Sequence, residues 1–378
     1  MYAHFPDLHR IMLPPLRIPI YQPELGGNEK AYVNQCLDST WISSKGEFIE
    51  KFQSGFARYV GAPQAIAVSN GTVALHLALA ALGLGPGDEV IVPSLTYVAP
   101  VNAIRYVGAT PVFAEADPTT WQVSPDDVAA RITPRTKAII AVHLYGQACD
   151  MAALADLARA RGLRLIEDCA EALGTRIGDR HVGTFGDIAT FSFFGNKTIT
   201  TGEGGMVVAR EATLHRLALK LRGQGLADDR EYWHDVVGFN FRMTNICAAI
   251  GLAQLERADD FLARKRRLAD AYVRGLAGLP VRTHAESPGT THSFWMCSVL
   301  TDDPAQRDPL RKTLRAAGIE TRPVFHPVHT MPMYARGQTG LDVSVALAAR
   351  GINLPSWPGL GEEGVREVCD VVRGHFLR

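Results

Sequence analysis

The sequence of 378 residues has no long hydrophobic run and no excess of either charge. Its longest apolar run, residues 73–84, includes His76 and is too short to cross a bilayer, so we expect no transmembrane helix and no membrane partner. Lys plus Arg and Asp plus Glu each number 39, which gives a net charge of zero. This balance gives no indication of a nucleic-acid partner, and the composition is that of an ordinary globular protein.

The six cysteines are scattered along the chain and form no C-x-x-C pair. Reduced thiols in a cytoplasmic protein are the simplest interpretation of this pattern. The histidines, among them His143 and His326, lack the spacing of metal ligands, so we expect no metal site. Asp7 and Arg10 interrupt the apolar N-terminus, which argues against a signal peptide.

Short apolar runs with strand character alternate with helical stretches along residues 64–260. The strand-like runs are residues 64–68, 89–93, 111–114, 138–142 and 163–167. The helical stretches between them are residues 71–82, 101–106, 126–132 and 151–161. Continuous apolar strands joined by helices are typical of an α/β fold with a mainly parallel sheet covered by helices.

The pattern changes after Gly251. A long helical segment at residues 252–278 precedes a strand-like run at 294–300 and helical runs at 308–317 and 362–376. These runs indicate a smaller C-terminal α/β unit, as expected for a chain too long for one simple core. The predicted organisation is an N-terminal arm at residues 1–18, a large domain at 19–261 and a small domain at 262–378.

Lys197 and Asp168 are the residues that most clearly indicate a catalytic site. Lys197 ends the aromatic-containing segment 192–197 and precedes a glycine-rich segment, whereas Asp168 ends an apolar strand-like run. A lysine amine can form a Schiff base with the aldehyde of pyridoxal phosphate (PLP), and an aspartate can keep the pyridine nitrogen protonated. Taken alone, a lysine is usually on the surface and a strand-end aspartate is usually a cap or loop residue. The hypothesis therefore depends on what accompanies the pair.

Five further residues lie where a PLP site would need them. Gly71 and Thr72 follow a strand and open a helix, where backbone N–H groups favour a phosphate, although a plain helix cap is the alternative. Ser192 can donate to the same phosphate or bond to backbone. Tyr97 can stack on a flat ring or pack as an ordinary tyrosine. Glu171 can reach the same cavity or be solvated at a helix start.

Together these segments resemble the DegT/DnrJ/EryC1/StrS family of PLP-dependent sugar-nucleotide aminotransferases. The resemblance extends from about residue 17 to the C-terminus, and its motifs lie at residues 70–75, 85–90, 167–171, 191–197, 201–205 and 238–242. It implies an architecture like that of aspartate aminotransferase, called fold-type I. It also implies a homodimer with active sites at the subunit interface.

The resemblance assigns roles position by position. Lys197 corresponds to the Schiff-base lysine and Asp168 to the partner of the pyridine nitrogen. Tyr97 corresponds to the stacking aromatic residue, and the phosphate binders are Gly71, Thr72 and Ser192.

Two further positions carry roles by the same resemblance. Asn240 corresponds to the asparagine that reaches the phosphate from the neighbouring subunit. Glu171 occupies a position near the ring hydroxyl where relatives often carry glutamine or histidine.

Within the family, residues 40–44, 193–197, 221–225 and 322–327 resemble members that aminate C4 of GDP-4-keto-6-deoxymannose. By this resemblance Trp41, Arg242 and His326 are candidate substrate contacts, and L-glutamate is the amino donor that leaves as 2-oxoglutarate. Three alternatives stay open: another keto-sugar on UDP or dTDP, aminated at C3 or C4; a dehydratase; and a non-catalytic PLP-binding regulator. Lys197 argues against the dehydratase, because those members carry histidine at that position.

Overall fold

The computed structural model describes residues 15–335 and 337–377. Most of the predicted N-terminal arm, up to residue 14, lies outside the described residues. The rest of the arm is bound to the C-terminal part of the chain. The amides of Arg17 and Ile18 donate to the carbonyl of Gly318 at 2.8 and 3.2 Å, and the side chain of Ile18 is buried.

The strands fall into one large sheet and two small ones. In chain order they are β1 (Ile66–Val68), β2 (Glu89–Pro93), β3 (Thr110–Ala114), β4 (Thr136–Val142), β5 (Arg164–Asp168), β6 (Arg176–Ile177), β7 (Arg180–His181), β8 (Ile188–Ser192), β9 (Gly205–Ala209), β10 (Val281–Thr283), β11 (Thr290–Thr291), β12 (Cys297–Thr301), β13 (Arg322–Pro323) and β14 (Gly351–Leu354). The predicted bounds of β2 agree with the structure residue for residue.

Helices connect and cover the strands. They are α1 (Glu29–Asp38), α2 (Glu47–Val60), α3 (Gly71–Ala81), α4 (Ala99–Tyr106), α5 (Pro125–Ala130), α6 (Met151–Arg161), α7 (Ala212–Arg222), α8 (Asn245–Leu255), α9 (Ala258–Gly275), α10 (Arg307–Ala316), α11 (Asp342–Arg350) and α12 (Gly361–Phe376). Short 3₁₀ turns lie at Leu144–Gly146, Pro304–Gln306, Val328–Thr330 and Pro358–Leu360. Within the described ranges, no helix is both long and apolar enough to cross a membrane.

The large sheet has the strand order β1-β9-β8-β5-β4-β2-β3. Four of its strand pairs are parallel, namely β2/β3, β2/β4, β4/β5 and β5/β8. Strand β9 is antiparallel to both of its neighbours, β8 and β1. The predicted mainly parallel sheet is therefore confirmed. Because β1, β2, β5 and β8 all run in the same direction, the residues that follow them meet at one edge of the sheet.

Both faces of this sheet are buried, which explains its continuous apolar strands. Along β4, Ala138, Ile140 and Val142 pack toward α3, α4 and α7, whereas Ile139 and Ala141 pack toward α5 and α6. A phenylalanine-rich cluster from α2, including Phe52 and Phe56, covers the β8 and β9 end of the second face together with α1 and α8.

The helical segment predicted at residues 252–278 is two helices, not one. Arg257 separates α8 from α9 with non-helical dihedral angles (φ −111°, ψ 4°). The break lets α8 pack on α1 and α2 while α9 packs on α12, which one straight helix could not do. The domain boundary predicted after residue 261 falls inside α9: Phe261 belongs to the large-domain core and Leu268 to the core of the C-terminal unit.

Candidate active site

A cavity of about 620 Å³ lies at the sheet edge where β5 and β8 end. It is lined by all seven residues that the sequence places at the PLP site within one subunit, namely Gly71, Thr72, Tyr97, Asp168, Glu171, Ser192 and Lys197. The parallel direction of β1, β2, β5 and β8 brings them together, because each residue lies at or just beyond the end of one of these strands or on the loops that follow.

The side chain of Lys197 lines this cavity. Its Nζ is 3.7 Å from Glu171 Oε1 and 4.0 Å from the centroid of the Trp295 ring. Burial lowers the pKa of Lys197, while the nearby carboxylates of Glu171 and Asp168 act in the opposite direction. A lysine held this way gives up its proton more readily than a surface lysine, as a nucleophilic amine must.

Two buried carboxylates flank the amine. Asp168 receives a hydrogen bond from the Ala170 amide to Oδ1 at 3.0 Å, and burial raises its pKa. Burial also raises the pKa of Glu171 to about 7, against the opposing effect of Lys197. The Tyr145 amide donates to Glu171 Oε2 at 2.8 Å. Tyr145 has a φ of 57°, an uncommon value for a residue other than glycine, and this conformation holds its N–H at the carboxylate.

The opposite end of the cavity is formed by the start of α3. Asn70 caps this helix, since its Oδ1 accepts from the Val73 amide at 2.9 Å. The amides of Gly71 and Thr72 have no acceptor within the helix and are available to an anion. A Cβ built at Gly71 would lie 2.7 Å from Ser192 Cβ, so glycine is what allows Ser192 and the helix start to approach each other.

The chain also brings aromatic residues from its C-terminal unit to the cavity. Trp295 and Phe325 line it, and Trp295 Nε1 donates to the carbonyl of Asn196 at 2.7 Å. Buried Lys265 in turn donates to the Trp295 carbonyl at 3.1 Å. These three residues were not predicted from the sequence. Nothing in their spacing relates them to Lys197, and only folding of the C-terminal unit over the sheet edge brings them close.

The remaining predicted residues lie outside this cavity. Asn240 is exposed, and Arg242 Nη2 donates to its Oδ1 at 3.3 Å. Trp41 is 57% exposed, with its carbonyl accepting from Asn245 Nδ2. His326 is exposed and lines a separate shallow depression, although its neighbour Phe325 lines the cavity.

His143 forms a buried cluster with Glu167 and Cys169, the two chain neighbours of Asp168, and their ligand-type atoms lie within 4.8 Å of one another. The Glu167 carboxylate already accepts from the amides of Gly183, Phe185 and Gly186 at 2.6 to 2.7 Å, and from His143 Nε2 at 3.2 Å. We interpret the cluster as a hydrogen-bonded support for the end of β5, which holds Asp168 in the cavity.

Comparison with known families decides what kind of site this is. A model of the DegT/DnrJ/EryC1/StrS aminotransferase family matches residues 23–373. The chain belongs to this family. It is therefore a PLP-dependent aminotransferase, as the sequence analysis predicted.

The relatives cover nearly the whole length of this aminotransferase. The GDP-perosamine synthase of Escherichia coli O157:H7 is 58% identical over 95% of this chain and 98% of that protein. The GDP-perosamine synthase of Vibrio cholerae is 52% identical over 95% and 99% of the two chains. The crystal structure of the aminotransferase TlmJ from Streptoalloteichus hindustanus superposes with a TM-score of 0.91, at 34% identity over 95% of this chain and 99% of that one.

The cavity of this family member fits PLP at three points. The Lys197 side chain is 13% exposed and its amine has a lowered pKa, which suits the cofactor aldehyde. Among the described residues, Asp168 receives one hydrogen bond, so its second oxygen is available to a ring nitrogen. At the phosphate end, Ser192 and the free amides of Gly71 and Thr72 form a cradle that a Cβ at Gly71 would fill.

Proposed function

We propose that this aminotransferase transfers the amino group of L-glutamate to C4 of GDP-4-keto-6-deoxymannose, giving GDP-perosamine and 2-oxoglutarate. The observation that carries the proposal is the 58% identity with the E. coli GDP-perosamine synthase over 98% of its length. Pocket-lining loops diverge quickly between enzymes with different substrates, so similarity at this level over nearly all of both chains favours a shared sugar nucleotide.

Lys197, Asp168 and Glu171 have different roles in the proposed reaction. Bound PLP supplies an electron-withdrawing ring that stabilises the charge left when a carbon beside the nitrogen loses its proton. Lys197 Nζ removes that proton from the α-carbon of glutamate, and in the second half of the reaction it delivers one to C4 of the sugar. Asp168 holds the ring nitrogen in its protonated form. Glu171, 3.7 Å from the amine, stabilises positive charge on Lys197.

The proposal includes a homodimer with shared active sites. Tyr232 and Val237 are 93% and 91% exposed, and they lie on the same loop as Asn240, which is outside the cavity of its own chain. Large apolar side chains exposed to this extent suit burial against a second copy. We propose that this contact carries Asn240 to the phosphate end of the other copy's cavity.

The substrate contacts are proposed on the same basis. Trp41, Arg242 and His326 lie outside the cavity, where an extended sugar nucleotide or a second copy can reach them. Arg242 offers a guanidinium for the carboxylate of the amino donor or for a substrate anion. The free cysteines of the described residues fit a cytoplasmic location, which we propose as the compartment of this reaction.

The test uses purified protein with PLP, L-glutamate and GDP-4-keto-6-deoxymannose, and follows GDP-perosamine by mass spectrometry. We expect product from the wild type and none from Lys197→Ala, because the variant lacks the amine that moves the proton. Full activity in Lys197→Ala would refute the assignment of this residue.

Two other outcomes separate the alternatives. In the first, glutamate converts PLP to its aminated form without any sugar product being formed. That result would support an aminotransferase whose substrate is a keto-sugar on UDP or dTDP. Failure of both reactions in a protein that binds PLP would favour the non-catalytic regulator.

A further inference from the structure

A second cavity, of about 760 Å³, lies at the opposite end of β8 and β9 from the active site. The active-site cavity includes Ser192 at the end of β8, whereas this one includes Gly186, before β8 begins, and Arg210, just after β9. We call it the arginine cavity, because four arginines line it: Arg58, Arg176, Arg180 and Arg210. None of its lining residues takes part in the aminotransferase site.

Fewer acidic side chains than arginines lie at this cavity. Asp259, which is outside the lining, accepts a hydrogen bond from the hydroxyl of the lining residue Tyr59 at 2.9 Å. Asp179 is the one acidic residue in its lining. The ion pairs found among residues 15–335 and 337–377 involve none of the four arginines. His181, which also lines the cavity, adds no charge at neutral pH, because burial, together with the charge of Arg176, lowers its pKa to about 4.

Neutral oxygen atoms, most of them backbone carbonyls, hold three of the guanidinium groups in place. Arg176 Nη1 donates to the Asp179 carbonyl at 2.7 Å, Arg180 donates to the carbonyl and hydroxyl of Thr184, and Arg210 donates to the Phe185 carbonyl. Carbonyl acceptors fix the orientation of a guanidinium and satisfy some of its donors, but they leave its charge uncompensated. Four positive charges around one cavity repel each other, and an anion bound between them removes that repulsion.

Part of the remaining wall is apolar. Tyr59, Val60, Ile177 and Val208 line the cavity beside the arginines. A volume of about 760 Å³ is within the range of pockets that bind small organic molecules, and it is much larger than a single phosphate needs. Guanidinium groups bind phosphate oxygens in pairs, through two parallel hydrogen bonds. The combination suits a ligand with a compact, highly charged end and a larger, flatter end.

We propose that the arginine cavity binds a nucleoside diphosphate, with the two phosphates against the arginines and the nucleoside against the apolar wall. The site is separate from the sugar-nucleotide site of the proposed reaction. It gives the enzyme a second place where a nucleotide can bind.

The test measures binding of ADP to the PLP-loaded enzyme by isothermal titration calorimetry, with adenosine and pyrophosphate as partial ligands. We expect ADP to bind more tightly than either partial ligand, and its affinity to fall as salt is added. In the double variant Arg58→Gln/Arg176→Gln, ADP affinity should fall at least tenfold. The matched control, Arg161→Gln/Arg274→Gln, removes two exposed arginines elsewhere and should leave ADP affinity unchanged.

Several results would overturn the proposal. These are absence of ADP binding to the wild type, unchanged binding in Arg58→Gln/Arg176→Gln, or an equal loss in the control variant. Binding unchanged by the arginine substitutions would place ADP in the active site instead. If the double variant does not fold, Arg58→Gln and the charge-retaining Arg58→Lys provide the comparison, with loss of affinity expected in the first and retention in the second.

Discussion

At the scale of single residues, the site depends on close approaches that one added atom would prevent. The clearest case is Gly71, whose backbone lies against Ser192 at the start of α3. Helix α3 has its own cap in Asn70, so Gly71 is not needed to end or begin the helix. Its role is to leave room for Ser192 and for a phosphate at the helix N-terminus.

We therefore expect Gly71→Ala to weaken PLP binding at least tenfold, which corresponds to a free-energy loss of about 1.4 kcal/mol or more. The new methyl group would lie 2.7 Å from Ser192 Cβ and force the two segments apart. Titration of the apoprotein with PLP, followed by absorbance, measures the change. Gly195→Ala is the matched control: it lies two residues from Lys197, and a Cβ there meets no atom within 4 Å. Equal losses in both variants would contradict this account of Gly71.

A second residue-scale prediction concerns charge at Lys197. The Glu171 carboxylate, 3.7 Å away, raises the pKa of the lysine against the larger lowering effect of burial. Glu171→Gln removes that negative charge, so the pKa of the lysine nitrogen should fall. In the loaded enzyme, the change of absorbance with pH reports the proton on this nitrogen.

Glu203→Gln provides the control for this titration. Glu203 is an exposed carboxylate that also lines the cavity, and water screens its charge. We expect Glu203→Gln to leave the pKa of the Lys197 nitrogen unchanged. A Glu171→Gln enzyme that titrates like the wild type would show that Glu171 does not act on the charge of Lys197.

At the scale of elements, a pair of buried histidines joins the C-terminal unit to the large sheet's loops. His284, just after β10, donates from Nε2 to the Thr120 carbonyl at 3.0 Å and accepts from His292 Nε2 at 3.3 Å. His292 Nδ1 accepts from the Phe294 amide at 2.8 Å. Every ring nitrogen therefore has a partner that suits the neutral form. Burial lowers the pKa of His284 to about 4, and it also lowers that of His292.

These histidines should make the protein less stable as the pH falls. Below about pH 6.5 they bind protons in the unfolded chain but not in the folded one, so acid favours unfolding; for His284 this continues until the pH reaches its folded pKa of about 4. Between pH 7.5 and 5.5, each histidine should cost about 1 kcal/mol of unfolding free energy. Urea denaturation at both pH values measures the loss.

The variant His284→Gln/His292→Asn isolates this effect from that of other titrating groups, such as Glu171. It should be less stable than the wild type at pH 7.5 but lose less stability on acidification. The same pH dependence in both proteins would mean that the histidine pair does not titrate as described.

At the scale of the whole molecule, the described chain holds an incomplete set of the residues expected at the phosphate. Gly71, Thr72 and Ser192 lie in the cavity, whereas Asn240 is on an exposed loop with apolar neighbours. In the proposed homodimer a second copy would complete the set, and each active site would then depend on two chains.

Mixing Lys197→Ala subunits with Asn240→Ala subunits tests this dependence. After exchange, half of the dimers are mixed, and each mixed dimer contains one site with both residues intact. Activity should rise to about a quarter of the wild-type level. The control, Lys197→Ala mixed with the double variant Lys197→Ala/Asn240→Ala, should stay inactive. Failure of the first mixture to rise above its separate components, with exchange verified, would refute a shared site.

Several features followed from the sequence by itself, because local periodicity and strand ends determine them. The bounds of β2 and α6 agree with those predicted, since their apolar patterns and glycine or proline neighbours mark both ends. Asp168 was placed at a strand end by its sequence pattern, whereas the strand that ends at Ser192 was not predicted; the parallel pairing of β5 with β8 brings both residues to one sheet edge. The family motifs around Lys197 predicted PLP as the cofactor.

Only the tertiary structure decided which residues meet from distant parts of the chain. Trp295 lies over the Lys197 amine because the C-terminal unit folds back onto the sheet edge, and no spacing in the sequence encodes that contact. The division of residues 252–278 into α8 and α9 depends on which helices each one packs against. The arginine cavity likewise assembles charges from three separate segments: α2, the β6–β7 hairpin and the residue after β9. Long-range packing sets these features, whereas sequence patterns report on neighbours along the chain.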